Sequence, residues 1–421
     1  MKPSFELLAP AGDMERLEAA LRFGADAVYL GGPMLQLRAG SVGFSMEELA
    51  AAVQAVHAKG KRIYVAVNAF ASNADVDAAA DYARALHKMG VDAAIVSDLG
   101  LIRTLRLAAP DLDVHVSTQA NCLNYAAACA YADLGVKRVV LGREMSLDEI
   151  RELRKRTPAE LELEAFVHGA MCMSYSGRCM LSAYLTSRSA NKGACTQSCR
   201  WTYHLMEEKR PGEYFPVEED ARGTTILSSF DMNCLDFLDQ LMDAGVTSFK
   251  LEGRMKSPYY VATVTNAYRR RIDALLDGSA NVRQLSLLQR ELNAASHRPY
   301  ASGFYFGEMK RHTPDDGVYL QDCNFVGAVR GAADGRIAVE LRNRIFEGDR
   351  IEILSPNSLG ASFVARELAD AQGEQVQVAS RPGEIYTMAC DASVSEGDLL
   401  RVRIAKEGEA LPGRSASYWP R

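Results

Sequence analysis

Eight short β-forming runs, each followed by a stretch of helical periodicity, fill roughly the first 275 residues of this 421-residue chain. The runs are FELLAP (5–10), AVYLG (27–31), IYVAVN (63–68), AAIVSD (93–98), DVHVST (113–118), RVVLG (138–142), ELEAFVHG (162–169) and SFKLEG (248–253). Between them lie amphipathic stretches such as DMERLEAALRFG and SMEELAAAVQAVHAKG. Several open on Asp or Ser, whose side chains satisfy the unpaired amides of a first helical turn. Eight such alternations predict an α/β fold, a (β/α)8 TIM-type barrel. An open doubly wound sheet is the competing arrangement, but no glycine fingerprint follows the first run.

One unit is longer than the rest. About 57 residues (170–226) intervene between the seventh run and the helix expected at 235–244. Loops at the carboxyl ends of barrel strands carry function. The expected organisation is a barrel over 1–278 with this insertion and a helical connector over 279–314. A small β-barrel domain over 315–406 and a tail over 407–421 complete it. The all-β assignment rests on FVGAVRG, RIAVELRN, GDRIEILS, EQVQVAS and GDLLRVRI, which alternate and are separated by turn residues.

Nearly half the residues are apolar and a quarter are charged, the composition of a globular protein. There is no run long and apolar enough to span a membrane, and MKPSFELLAP lacks a signal-peptide pattern. A cytoplasmic protein without a membrane partner is expected, in which structural disulfides are rare. The net charge of −6 gives no overall nucleic-acid signature, although a local basic patch is enough to contact phosphates.

Five of the nine cysteines, Cys172, Cys179, Cys195, Cys199 and Cys234, belong to the insertion or its exit. From His168 to Met206 there are four basic residues, Arg178, Arg188, Lys192 and Arg200, and no acidic one. Thiols in cationic surroundings are good soft-metal ligands. Structural zinc sites use close C-x2–4-C pairs, and only Cys195 and Cys199 have that spacing. The pattern therefore favours an iron–sulfur cluster over zinc, with plain buried thiols as the structural alternative.

Polar residues at the carboxyl ends of the runs are the other candidates. They are Asn68, Ser97, Asp98, Ser117, Thr118, Gln119, Asn121, Arg143, Glu144, His168, Lys250, Glu252 and Arg254, followed by Lys256. His168, Lys250 and Glu252 are the candidate catalytic groups, His168 being equally readable as a satisfied core residue. Arg143, Arg178, Arg200, Lys250, Arg254 and Lys256 would ring the mouth with positive charge and suit an anionic ligand. Tyr175, Tyr184, Trp201, Tyr203 and Tyr259 would stack on bases or pack the insertion onto the barrel. Glu6 lies in the first run, where alternation points it inward and demands a partner such as an arginine. No HExxH, G-x-S-x-G, Walker or Rossmann motif is present.

Several strings together resemble peptidase family U32, also called collagenase-like proteases. They are ELLAPAGD (6–13), GADAVYLGG (24–32), STQAN (117–121), HGAMCMSYSGRCMLS (168–182), CTQSCRW (195–201), KLEGRMKSPYYVA (250–262) and SGFYFG (302–307). The resemblance spans essentially the whole chain, and the length is similar to that of the shorter, tRNA-hydroxylating members. It implies oxygen-independent hydroxylation of wobble uridine to 5-hydroxyuridine, with a 4Fe-4S cluster and prephenate as the hydroxyl donor. It implies Cys172, Cys179, Cys195 and Cys234 as cluster ligands, with Cys199 as the alternate. Expected partners are tRNA and the small-molecule donor, and a homodimer or a heterodimer with a paralogue is left open. The alternatives are a peptidase acting on protein and a non-catalytic RNA-binding Fe–S protein.

Overall fold

The computed structural model describes residues 5–37, 43–172, 174–175, 177–200, 218–220, 223–225, 230–307 and 319–404, with the side chains of Arg200 and of 218–225 excluded. All eight expected strands form: β1 (Glu6–Pro10), β2 (Ala27–Gly31), β3 (Arg62–Val67), β4 (Ala93–Val96), β5 (Asp113–Val116), β6 (Arg138–Val140), β7 (Glu162–Ala170) and β8 (Ser248–Leu251). They run parallel in sequence order, and β8 closes the ring by pairing with both β7 and β1.

Local chemistry sets the helices. Asp13 caps Met14–Arg22 by accepting the Arg16 amide. Ser45 with Glu48, Ser72 with Asp75 and Ser146 with Glu149 form reciprocal capping boxes. Each cap stabilises its helix by about 1 kcal/mol. Asp98, a candidate for chemistry in the sequence, instead caps Leu99–Ala108. The apolar stripes of these helices, such as Leu17, Ala20 and Leu21 or Leu49, Val53 and Val56, are buried. Outward residues of the strands, among them Leu7, Val28 and Ile63, are buried too.

The barrel interior is divided. On one side Leu8, Ala27, Tyr29, Tyr64, Ala93 and Ile95 form an apolar cluster. On the other, Arg138 reaches Glu6 at 2.6 Å and Glu164 at 2.9 Å, and Ser248 Oγ donates to Glu6 at 2.9 Å. Tyr64 Oη donates to Glu6 at 2.7 Å. Glu6 thus has the arginine partner its inward position requires.

Two short strands were not legible in the sequence. Asp231–Asn233 pairs antiparallel with the end of β7, and Tyr300–Ala301 pairs with it in turn. Three residues cannot show a period. What fixes them is tertiary: Arg298 is buried against Asp231, with Nη2 at 2.7 Å and Nε at 2.9 Å from one carboxylate oxygen.

Residues Met1–Leu285 and Arg298–Tyr319 form one compact unit, and Ser286–His297 with Leu320–Arg421 form the other. The stretch expected as a connector, 279–314, is therefore divided between them, because most of helix Val282–Ala294 groups with the second unit. The second unit is all-β apart from that helix and holds a seven-stranded antiparallel sheet. Its two edge strands, Ser362–Val364 and Arg366–Ala369, are separated in sequence only by Ala365, so one kinked strand brings the edges round. Val329, Val339, Ile351, Met388 and Leu400 lie in its core. The tail expected over 407–421 lies outside the described residues. Among the described residues no helix is long and apolar enough to cross a membrane.

Candidate active site

A cavity of about 100 Å³ opens at the carboxyl ends of the barrel strands. Its floor and walls are Tyr29, Ala66, Ile95 and Phe166, and its polar groups come from four strand ends. Asn68 follows β3, Ser117 and Gln119 follow β5, Arg143 follows β6, and Lys250, Glu252 and Arg254 belong to β8 and its exit. A larger cavity of about 470 Å³ lies in the second unit, beside Arg290, Glu352 and Arg403. There Glu352 is already engaged by Arg290, Arg401 and Arg403. The barrel mouth combines several cations with strand-end amides and hydroxyls.

Lys250 is the deepest cation. Its Nζ lies 2.7 Å from Glu164 and 4.5 Å from the centre of the Tyr29 ring. Burial pulls its proton affinity below the ordinary lysine value, and the Glu164 charge opposes that pull. Glu164 is in turn tied to Arg138, so the mouth is wired to the ion network beneath it. Arg143 lies over the Phe166 ring, Cζ 3.8 Å from its centre, and donates to the Ala170 carbonyl at 2.7 Å. Its Nε is buried without a hydrogen-bond acceptor among the described residues. Asn68 Nδ2 donates to Ser117 Oγ at 3.1 Å, while its Oδ1 is a buried acceptor with no donor among them. An unsatisfied donor and acceptor in one cavity mark it as a place for a polar ligand.

Glycines explain why the motif strings meet here. A Cβ on Gly12 would strike the Arg254 carbonyl, and one on Gly31 would lie 2.8 Å from an Arg254 guanidinium nitrogen. Two strings thus leave room for the arginine of a third. Gly169 has φ +104°, and a Cβ there would sit 2.6 Å from the Glu252 carbonyl. The β7 and β8 ends can approach only because that side chain is missing.

Arg143, Lys250, Glu252 and Arg254 share the cavity, but other candidates lie elsewhere. His168 is 1 % exposed and is enclosed by Tyr260, Tyr268 and Tyr300, whose ring centres are 5.3–6.1 Å away. It is turned from the cavity because the pairing of β7 with β8 slips between Lys250 and Leu251, which breaks the alternation. Lys256 lies over the rings of Tyr260 and Tyr319, at 5.2 and 4.8 Å, outside the cavity lining. Tyr175 and Arg178 are exposed on the insertion. Arg200 ends the short turn Ser198–Arg200, and Trp201 lies outside the described residues. Sequence reasoning missed Tyr29 and Phe166 as the aromatic walls and Glu164 as the partner of Lys250. Glu164 stands two residues before Phe166, so period two along β7 was the available signal.

The five cysteines differ in how far they are covered. Cys172 lies two residues beyond Ala170, and Cys234 three beyond Asp231 in the opposite direction along the same ladder. Cys172 and Cys195 are exposed, Cys179 and Cys199 are partly covered, and Cys234 is buried. Burial pushes the Cys234 thiol well up. Its amide donates to Val167 O and to Tyr268 Oη, both at 3.0 Å, which fixes its backbone. Among the described residues no three Cys, His, Asp or Glu side chains form a group able to hold a metal ion.

A sequence model of Peptidase family U32 matches residues 12–314, and one of the Peptidase family U32 C-terminal domain matches residues 321–401. The chain is 36% identical over 430 residues to tRNA hydroxylation protein P of Escherichia coli (strain K12), covering 91% of this chain and 92% of that protein. It is 37% identical over 410 residues to tRNA hydroxylation protein P1 of Bacillus subtilis (strain 168), covering 94% of each. It is 33% identical over 314 residues to Collagenase of Porphyromonas gingivalis (strain ATCC BAA-308 / W83), covering 72% of this chain and 74% of that protein.

Proposed function

The chain belongs to peptidase family U32, and we propose that it is an RNA hydroxylase that converts the wobble uridine of tRNA to 5-hydroxyuridine without molecular oxygen, with prephenate as the hydroxyl donor. The observation that carries this reading is the convergence of Arg143, Lys250 and Arg254 with Asn68, Ser117 and Gln119 in one strand-end cavity. Its support from relatives is near-full-length similarity to two proteins named for tRNA hydroxylation.

The roles follow from the chemistry of the side chains. Lys250 and the guanidinium groups of Arg143 and Arg254 suit the carboxylates of the donor. Asn68 Oδ1 is an acceptor for a ring N–H of the target base. A base inside a stack cannot reach such a cavity, so the target must be extruded into it. Glu252 lines the same cavity and is placed to take or return a proton. His168, enclosed by tyrosines, acts on the β7 end and not on the ligand.

The iron–sulfur cluster on Cys172, Cys179, Cys195 and Cys234, with Cys199 as alternate, remains part of the proposal. In it the thiols of the insertion would join that of buried Cys234. A peptidase would need a nucleophile paired with a base at the mouth. Of the described histidines, His168 is enclosed by tyrosines and His115 is sealed inside the barrel against Tyr64, ring centres 4.7 Å apart.

The test is mass spectrometry of tRNA nucleosides from a strain lacking its own wobble hydroxylases and carrying this chain. Restored 5-hydroxyuridine is expected. An unrestored nucleoside together with peptide cleavage by the purified protein would put the peptidase reading first.

A further inference from the structure

Resting on the RNA reading above, we propose that the exposed aromatic and cationic face of residues 175–192 is a stacking platform for a single-stranded loop of the RNA substrate. Tyr184 is 86% exposed, Met180 74% and Tyr175 54%, a concentration of bare apolar side chains that a soluble surface does not keep without use. Arg178, Arg188 and Lys192 are exposed among them. No acidic residue occurs between His168 and Met206 in the sequence, and of the three cations Lys192 has the Asp75 charge near it.

The platform is held in place. Ser182 is its internal knot: Oγ donates to the Arg188 carbonyl at 2.7 Å and accepts the Thr196 amide at 3.1 Å. Asn191 Nδ2 donates to the Cys179 carbonyl at 3.0 Å. Two contacts fix the segment beside the mouth. The Phe70 amide, just past β3, donates to the Asn191 carbonyl at 2.9 Å. Gly177 packs on Gln119, whose carbonyl would lie 2.6 Å from a Cβ there, and Gln119 lines the cavity. A loop lying on the platform therefore delivers a base to the adjoining opening.

Charge selects the occupant. A second copy meeting this face with the same face would bring like charge against like, whereas RNA brings phosphates for the cations and a π-face on every base. Stacking tolerates any base, so the platform would grip the loop and leave base choice to the cavity.

The experiment measures binding of an unmodified anticodon stem-loop RNA to the full chain as salt is varied. Tyr184→Ala should weaken binding by on the order of tenfold, and Tyr184→Phe, which keeps the ring, should bind within about twofold of wild type. Arg178→Ala and Arg188→Ala should each lower the slope of log affinity against log salt by roughly 0.7. If Tyr184→Ala binds and hydroxylates like wild type, the platform is overturned while the hydroxylase reading stands. The platform is overturned in the same way if that variant changes self-association and not RNA binding. If the wild-type chain binds the stem-loop through Tyr184 but makes no 5-hydroxyuridine, the platform stands and the proposed reaction fails.

Discussion

Lys250 and Glu164 show how much one buried pair decides at the mouth. Burial works against the lysine's charge, and Glu164 at 2.7 Å restores part of it. The other groups facing the lysine are Arg138 below, Arg143 beside it, and the Tyr29 and Phe166 rings. If the charged lysine binds the donor's carboxylate, donor affinity falls as pH rises through a lysine pKa already below the ordinary range. Removing Glu164 lowers that pKa further. Glu164→Gln should therefore move the alkaline limb of the donor KM to lower pH, with melting checked in parallel. A limb that stays in place would show that Lys250 does not carry the donor. Arg138 is the structural counterpart. Arg138→Met leaves Glu164 with Lys250 and Glu6 with half-exposed Arg62 as their remaining cations and should destabilise by up to about 3–5 kcal/mol, read from urea unfolding.

At the level of elements, the meeting of β7 and β8 is the critical joint. Gly169 combines a positive φ with backbone 2.6 Å from where a Cβ would be. Gly169→Ala should cost on the order of 1–3 kcal/mol and displace Glu252, lowering activity more than a surface substitution does. The insertion is the second decisive element. Anaerobic reconstitution with iron and sulfide should give about four irons per chain, as for a cubane cluster. Cys234→Ala should abolish that loading; full iron occupancy in the variant would favour Cys199 as the fourth ligand. The eight-strand pattern was legible because each strand has β-rich residues bounded by turns and each helix has its own cap. Asp231–Asn233 was not, since a three-residue strand is held by the buried Asp231–Arg298 pair, which is remote in sequence.

Across the whole molecule, each unit carries a buried arginine surrounded by carboxylates: Arg138 in the barrel and Arg401 in the β unit. Burial raises the Glu6 and Glu352 carboxyls, but the neighbouring arginines outweigh it and hold both below the ordinary value. Carboxylates with a depressed folded pKa contribute stability above their unfolded pKa and lose it as pH falls through the folded one. Both units should accordingly lose stability below about pH 4, the usual carboxylate range, and Glu6→Gln should flatten the barrel's share. The two basic residues after β8 separate on the same logic. Arg254 lines the cavity, whereas Lys256 rests on Tyr260 and Tyr319. Arg254→Ala should lose tRNA hydroxylation with the fold retained, and Lys256→Ala should keep most of it. Equal loss in both would show that Lys256 also reaches the RNA or the donor.

By itself the sequence determined the parallel barrel, the all-β end of the chain, the inward carboxylate of Glu6 and the place of the insertion. These depend on local periodicity, capping and turn chemistry, which neighbouring residues carry among themselves. It also singled out Arg143, Lys250, Glu252 and Arg254, because strand ends can be counted along the chain. Only the tertiary structure decided which strand-end groups share a cavity. A pairing slip between β7 and β8 turns His168 into a nest of tyrosines, and the ring of Tyr260 draws Lys256 aside. It also decided that Glu164 holds Lys250 and that Cys234 is buried whereas Cys172 and Cys195 are exposed. Those outcomes depend on the register of strands far apart in sequence and on close approaches that only glycines allow, and no local pattern encodes either.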